Sequence, residues 1–201
     1  MHQLPRQGHI EVICGPMFSG KSETLIGRLR RSLIAKQRVQ VFKPSVDDRY
    51  GEERIASHSE LWLEAKATKD STDLLTHVLP ETKVVGIDEI QFFDDDVVGV
   101  VERLADQGKR VVVAGLDLDY SAKPFSIVAE LLARAEFVTK TLAVCIQCGD
   151  VASRSQRLIA SANRVVIGAK DAYEARCRHC HDPRAEVTTA QLFPDSEPLS
   201  N

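Results

Sequence analysis

Residues 10–22 read IEVICGPMFSGKS. A largely apolar run ends at Cys14. Gly15-Pro16-Met17-Phe18-Ser19-Gly20-Lys21-Ser22 then fits G-x-x-x-x-G-K-[ST] at every fixed position. The glycines let the main chain curl so that its N–H groups converge on phosphate oxygens, and a helix following the loop adds its positive N-terminal end. Lys21 offers a point charge to the outer phosphates, and the Ser22 hydroxyl is suited to ligate Mg²⁺. The motif specifies a nucleoside triphosphate and leaves open what is done with it.

Working outward, the pattern predicts a β-loop-α-β opening. A strand covers residues 10–14, a helix runs from Ser22 to Lys36 with Leu25, Leu29 and Leu33 on one face, and a second strand spans Val39 to Phe42. Residues 43–59 are polar and aperiodic, a long connection of the kind that is usually functional or mobile. Further on, helices are expected over Asp70–Leu79, Val97–Gln107 and Ile127–Arg134. Strands are expected over Val84–Ile87, Arg110–Ala114 and most of Glu136–Val144. This alternation predicts an α/β fold, a mostly parallel sheet flanked by helices. Arg28, Arg30 and Arg31 read as a solvated helix face, Asp94, Asp95 and Asp96 as a helix start, and Cys14 as a small buried hydrophobe.

At 201 residues the chain has room for one α/β domain and a small appendage. With 43% hydrophobic and 27% charged residues and a net charge of -3, the composition is that of an ordinary soluble protein and excludes bulk nucleic-acid binding by charge. No run approaches the roughly 18 apolar residues of a membrane span, and MHQLPRQGHIEVICG holds no stretch of signal-peptide length. A cytoplasmic protein is expected, with no membrane partner.

The strand at residues 84–87 runs into Asp88 and Glu89. In phosphate-loop proteins an acid at this place holds the nucleotide's Mg²⁺, a role that suits Asp88. Glu89 is then placed to take a proton from an attacking oxygen. If that oxygen belongs to water, the protein is an ATPase; if it belongs to a substrate hydroxyl, a kinase. The motif alone does not separate the two.

Of five cysteines, four form the pairs Cys145-x-x-Cys148 and Cys177-x-x-Cys180. Two such hairpins closing on one tetrahedral Zn²⁺ make a structural site with no open position. A redox pair is the alternative, and His179 or His181 could replace one ligand. The pattern divides the chain into a nucleotide-binding domain over residues 1–144, a zinc-bearing module over 145–185 and a loosely ordered tail over 186–201.

Gly15 to Ser22 with Met17-Phe18 inside it, Asp88-Glu89-Ile90-Gln91-Phe92-Phe93, Ala114-Gly115-Leu116-Asp117, Lys123-Pro124-Phe125, Ile167-Gly168-Ala169, Tyr173 and Cys177-Arg178-His179-Cys180 follow one another along the chain. Together they resemble the zinc-containing (type II) thymidine kinases over roughly residues 9–181. The resemblance implies a RecA-like core, a zinc-anchored lasso closing over thymidine, and ATP-Mg²⁺ as the phosphate donor. It implies that Glu89 is the general base for the 5′-hydroxyl. The loop Gly15, Pro16, Met17, Phe18, Ser19, Gly20, Lys21 and Ser22, with Asp88 and Gln91, would serve the nucleotide and its metal. Asp47 and Arg49 would lie near the transferred phosphate or its metal. Met17, Phe92, Leu116, Tyr120, Phe125 and Tyr173 would surround the base, and main-chain groups of Arg164, Val165, Val166, Ile167 and Gly168 would bind the nucleoside. It further implies homotetramers, feedback inhibition by thymidine triphosphate, use of deoxyuridine beside thymidine, and a place in pyrimidine salvage for DNA synthesis.

Many members carry Gly-Gly where this chain has Gly168-Ala169, so the lasso tip is expected to differ in shape. Read without the resemblance, Phe92, Phe93 and Phe125 are ordinary core aromatics. A P-loop ATPase and a zinc-ribbon nucleic-acid module are the competing classes. The first usually needs a nucleic-acid surface or a second motor domain, and 201 residues with a net charge of -3 give neither the charge nor the length expected for these. The second lacks aromatics interleaved with Arg154, Arg157 and Arg164.

Overall fold

The computed structural model describes residues 8–46, 54–56, 62–159 and 172–183. In chain order the elements are β1 (His9–Cys14), α1 (Lys21–Ile34), β2 (Val39–Pro44), β3 (Arg54–Ala56), β4 (Trp62–Glu64), β5 (Lys66–Thr68), α2 (Ser71–His77), β6 (Val84–Ile87), a 3-10 turn (Ile90–Phe92), α3 (Val97–Asp106), β7 (Arg110–Gly115), α4 (Ser126–Arg134), β8 (Phe137–Lys140), β9 (Ala143–Val144), β10 (Val151–Ala152), β11 (Arg154–Arg157) and β12 (Tyr173–Arg176). Six strands form one sheet in the order β5-β2-β6-β7-β1-β8, and every pairing in it is parallel. Two-stranded antiparallel pairs join β3 to β4, β9 to β10 and β11 to β12.

A parallel sheet needs crossovers, and these put helices on both faces. All of β1 is accordingly buried, and its side chains alternate between two cores. Ile10, Val12 and Cys14 join Phe42, Val85, Ile87, Val111 and Val113 against the helix side formed by α2, α3 and α4. Ile13 joins Val41, Val84, Val112 and Ala114 beneath Leu25, Ile26 and Leu29 of α1. In α3 the valines run almost unbroken, a poor helical composition. Burial of Val97, Val98, Val100, Val101 and Leu104 outweighs that weak preference.

Two expectations on α1 need correction. Leu25 and Leu29 are fully buried, but Leu33 is 45% exposed, and Ser32 takes the buried place instead. A spacing of four drifts about 40° per step on a helix of 3.6 residues per turn, so the third leucine has rotated out of the core. Arg28 is not a solvated side chain. Its Nη1 donates to Glu11 Oε2 at 2.7 Å and its Nη2 to Thr139 Oγ1 at 2.6 Å, because a carboxylate buried in β1 requires cations. Asp94 is also more than the start of a helix. It accepts from Ser71 N at 2.7 Å and Ser71 Oγ at 2.5 Å, tying the first turn of α2 to the start of α3.

The chain leaves β1, crosses beneath the sheet in α1 and re-enters at β2, with β7 and β6 lying between. The turns after β1, β6 and β7 therefore meet at the carboxyl edge of the sheet, where ligands bind in folds of this class.

Candidate active site

Gly15 leaves β1 with φ 148, and a Cβ there would lie 2.3 Å from Thr141 O, so only glycine fits. The turn continues through Phe18 and Gly20 in left-handed backbone, at φ 63 and 78. Ser19 Oγ donates to Pro16 O at 2.7 Å, and Lys21 Nζ donates to the same carbonyl at 2.7 Å. Lys21 is buried, and Phe18 is exposed. Met17, half-buried, donates its N–H to Ser155 Oγ of β11 at 3.0 Å.

Asp88 follows β6 and is buried. Burial and the neighbouring Glu89 charge push its carboxyl up to about 7, against the opposing pull of a hydrogen bond from Ser22 and the charge of Lys21. The pairing of a buried carboxylate with the Ser22 hydroxyl fits the donor set of a Mg²⁺ site. Glu89 stands in left-handed backbone at φ 50, with its N–H on Asp88 Oδ1 at 3.0 Å. Gln91, expected beside the nucleotide, spends both ends within the protein. Its Nε2 donates to Glu89 Oε2 at 2.6 Å, and its Oε1 accepts from Leu116 N at 3.0 Å. A Cβ at Gly115 would come within 2.6 Å of Gln91 Oε1, so this close approach requires glycine there.

Leu116 and Phe92 are half-buried beside this edge. Phe93 and Phe125 lie in the core at 7% and 6% exposure. Tyr173 is buried in β12. The Arg157 guanidinium stacks over the Tyr120 ring, 3.4 Å from its centroid. Asp117, buried at the end of β7, pairs with Lys140 Nζ at 2.8 Å outside hydrogen-bond geometry, and its Oδ1 has no hydrogen-bond partner among the described residues. Cys14 is buried in the core as expected. Burial, reinforced by the Asp117 charge, pushes its thiol up. Asp47, Arg49, Arg164, Val165, Val166, Ile167 and Gly168 lie outside the described residues.

Cys145, Cys148, Cys177 and Cys180 converge with all four Sγ atoms within 4.8 Å of one another. A tetrahedron of Zn–S bonds of about 2.3 Å has edges of roughly 3.8 Å, and Cys148 Sγ lies 3.7 Å from Cys177 Sγ. The cluster is thus compatible with a zinc site. Burial raises the Cys145 thiol, but backbone N–H groups of Cys177, Cys148 and Gln147 outweigh it and bring the group down to about 6, while the neighbouring Cys177 thiol and burial push Cys180 up to about 12, so without a cation the four sulfurs do not ionise together. His181 is committed elsewhere, with Nε2 2.8 Å from Tyr120 O. Among the described residues the core around the cluster is Ala143, Ala152, Ala175 and cysteines, a small apolar surface.

Sequence reasoning did not find Thr141 or Ser155. They contact the phosphate loop across 122 and 138 residues of chain, and neither belongs to a motif.

Comparison with solved structures finds likenesses at low identity. One is domain III of the Thermotoga maritima replication initiation protein DnaA, with 15% identity and a TM-score of 0.43 over 68% of this chain and 56% of that one. Another is the flagellar accessory protein FlaH from Methanocaldococcus jannaschii, with 15% identity and a TM-score of 0.48 over 72% of this chain and 76% of that one. The chain thus spans little more than half of the first. Among the described residues no helix is long and apolar enough to cross a membrane. Among protein families, the one described as "Thymidine kinase" matches residues 8–181. With the phosphate loop, the acidic strand end and the four-cysteine cluster lying inside that match, the chain belongs to the thymidine kinase family.

Proposed function

We propose that the protein transfers the γ-phosphoryl group of ATP to the 5′-hydroxyl of thymidine, and also to that of deoxyuridine, giving the 5′-monophosphate for DNA precursor synthesis in the cytoplasm. The observation that carries this reading is Glu89, aimed by Gln91 from a left-handed backbone position next to Asp88, whose carboxyl itself meets Ser22 and the Lys21 charge of the phosphate loop. In the reaction the 5′-oxygen bonds to the γ-phosphorus as the bond to the β-phosphate oxygen breaks. The hydroxyl proton passes to the Glu89 carboxylate, and ADP leaves. Lys21 exchanges Pro16 O for the outer phosphates, where charge builds up. Asp88 and Ser22 would hold Mg²⁺, which offsets phosphate charge. Asp47 and Arg49 would act near the transferred group.

Cys145, Cys148, Cys177 and Cys180 would hold a structural Zn²⁺, which would brace the module that carries the nucleoside loop. Met17, Phe92, Leu116, Tyr120, Phe125 and Tyr173 would enclose the base, with main-chain groups of residues 164–168 reading its edge. The domain division at residues 144 and 145, assembly as a homotetramer, and feedback inhibition by thymidine triphosphate belong to the same reading, which needs no nucleic-acid or membrane partner.

The test is a kcat/KM series over nucleosides at fixed ATP. Thymine offers an acceptor at O4 and a donor at N3, and cytosine reverses both. Each buried unpaired polar group costs about 1–3 kcal/mol, so deoxycytidine should fall at least a few hundredfold below thymidine, a ratio that hydrogen-bonding sites reach. Deoxyuridine lacks one methyl and should lose only about 1 kcal/mol. Comparable use of deoxycytidine and thymidine would reduce the assignment to a generic deoxynucleoside kinase.

A further inference from the structure

The turn after β7 has a stiff main chain. Leu118 bridges to Pro124 as an antiparallel pair, and Asp119, buried at the bend, closes the turn from within. Its Oδ1 accepts from Ser121 N at 2.9 Å, Ser121 Oγ at 2.7 Å and Lys123 N at 3.0 Å. Its carbonyl accepts from Ala122 N at 2.9 Å, with Ala122 in left-handed backbone at φ 62. These bonds fix the main chain of Tyr120, which stands between Asp119 and Ser121, and leave its ring to be placed from elsewhere.

The grip on the ring comes from the four-cysteine segment. Successive residues of a strand point to opposite faces, so Ser155 and Arg157 of β11 share one face. Ser155 Oγ accepts the Met17 N–H at 3.0 Å, and the Arg157 guanidinium lies over the Tyr120 ring with its Cζ 3.4 Å from the centroid. Gln156, buried and facing the other way, pairs both ends of its amide with the main chain of Asp182. Its Nε2 donates to Asp182 O at 2.8 Å, and its Oε1 accepts from Asp182 N at 2.9 Å. That pairing holds the adjacent His181 where its Nε2 lies 2.8 Å from Tyr120 O. One strand thus fixes the turn through His181 and the ring through Arg157.

We propose that Arg157 is a positioning residue for the nucleoside, holding the Tyr120 ring in place for the base. The proposal rests on the reading of Tyr120 as part of the base pocket. The stack uses only residues of this chain, so it forms with or without a base, and its own energy cancels from the binding equilibrium. What remains is order. A ring already in place costs the base nothing to place, whereas without the guanidinium the base must immobilise that side chain on binding. With Arg157 over one face, the base meets Tyr120 by the other face or by the ring edge.

The test is calorimetry on Arg157→Ala, Tyr120→Leu and the double variant. Kd is measured for thymidine and for Mg-ATP, beside zinc content and Tm. Arg157→Ala should weaken thymidine binding about three- to tenfold, the effect of ordering one side chain. Ser155 and the phosphate loop are untouched, so Mg-ATP should bind within about twofold of wild type. In the double variant thymidine should bind no more weakly than in Tyr120→Leu alone, because Arg157 acts only through that ring. The proposal is overturned if Arg157→Ala binds thymidine like wild type while Tyr120→Leu binds it weakly, or if Arg157→Ala weakens it further on the Tyr120→Leu background. It is also overturned if both ligands weaken together with a lowered Tm, or if Arg157→Ala tightens thymidine, which would put the guanidinium in the base's own place. Wild-type thymidine binding by Tyr120→Leu would instead overturn the placing of Tyr120 at the base, and the proposal with it.

Discussion

Glu89 occupies left-handed backbone at φ 50, a conformation that costs a residue with a side chain about 1–3 kcal/mol. Its carboxylate is aimed by the amide of Gln91, which is itself fixed by the main chain of Leu116. Such strain persists where the surroundings over-determine it, here through two hydrogen bonds from neighbouring turns. Glu89→Gln keeps the shape and removes the proton acceptor. It should leave ATP and thymidine binding intact while kcat falls roughly 10²- to 10⁴-fold. Steady-state kinetics with a kcat within about threefold of wild type would move the base elsewhere. At this scale the sequence is informative where chemistry demands fixed spacing. The loop glycines, Lys21, Ser22, Asp88 and Glu89 are all legible from their order after an apolar strand. The left-handed turn at Glu89 and the bridge made by Gln91 are not, because both depend on β7 lying beside β6.

At the level of elements, the acid in β1 reorganises everything packed on it. Glu11 is buried, with Arg110 Nε at 2.6 Å, Arg28 Nη1 at 2.7 Å and His9 Nε2 at 3.2 Å. Burial raises its carboxyl, but Arg110, Arg28 and His9 together hold it below the ordinary value of 4.5. A depressed carboxyl contributes stability above its unfolded-state pKa, and that stability is lost as pH falls through the folded value. The protein should therefore lose stability as pH drops below about 4.5. Glu11→Gln should flatten that limb in denaturant melts and cost about 3 kcal/mol at neutral pH by leaving two guanidinium groups underpaired. A wild-type melt that does not change between about pH 4.5 and pH 3, or a Glu11→Gln limb as steep as the wild type's, would contradict the role of the cluster. Periodicity gave the element types correctly for α1 and α3 but misjudged Leu33 and Arg28. One charge within an apolar strand was the available signal, and its partners come from α1 and β7, which local patterning does not connect.

Across the whole molecule, the four-cysteine segment and the phosphate loop are not independent. Ser155 on β11 accepts the Met17 N–H, Arg157 stacks on Tyr120, and His181 meets the Tyr120 carbonyl. The cysteine spacing announces the cluster, but nothing in it foretells these contacts. Removal of zinc by a chelator should raise amide exchange in β9 to β12, whose core among the described residues is small. KM should rise for ATP as well as for thymidine, because Ser155 is carried away from the loop. A metal-free preparation with unchanged KM values would remove the zinc site from the account. The site should pass phosphate to a nucleoside hydroxyl and not to water. The most direct measurement is ADP formation from Mg-ATP with and without thymidine, with the nucleoside products resolved. Turnover without thymidine should be negligible, and with it one thymidine 5′-monophosphate should appear for each ADP; steady ATP hydrolysis that thymidine neither requires nor accelerates would make the protein an ATPase instead.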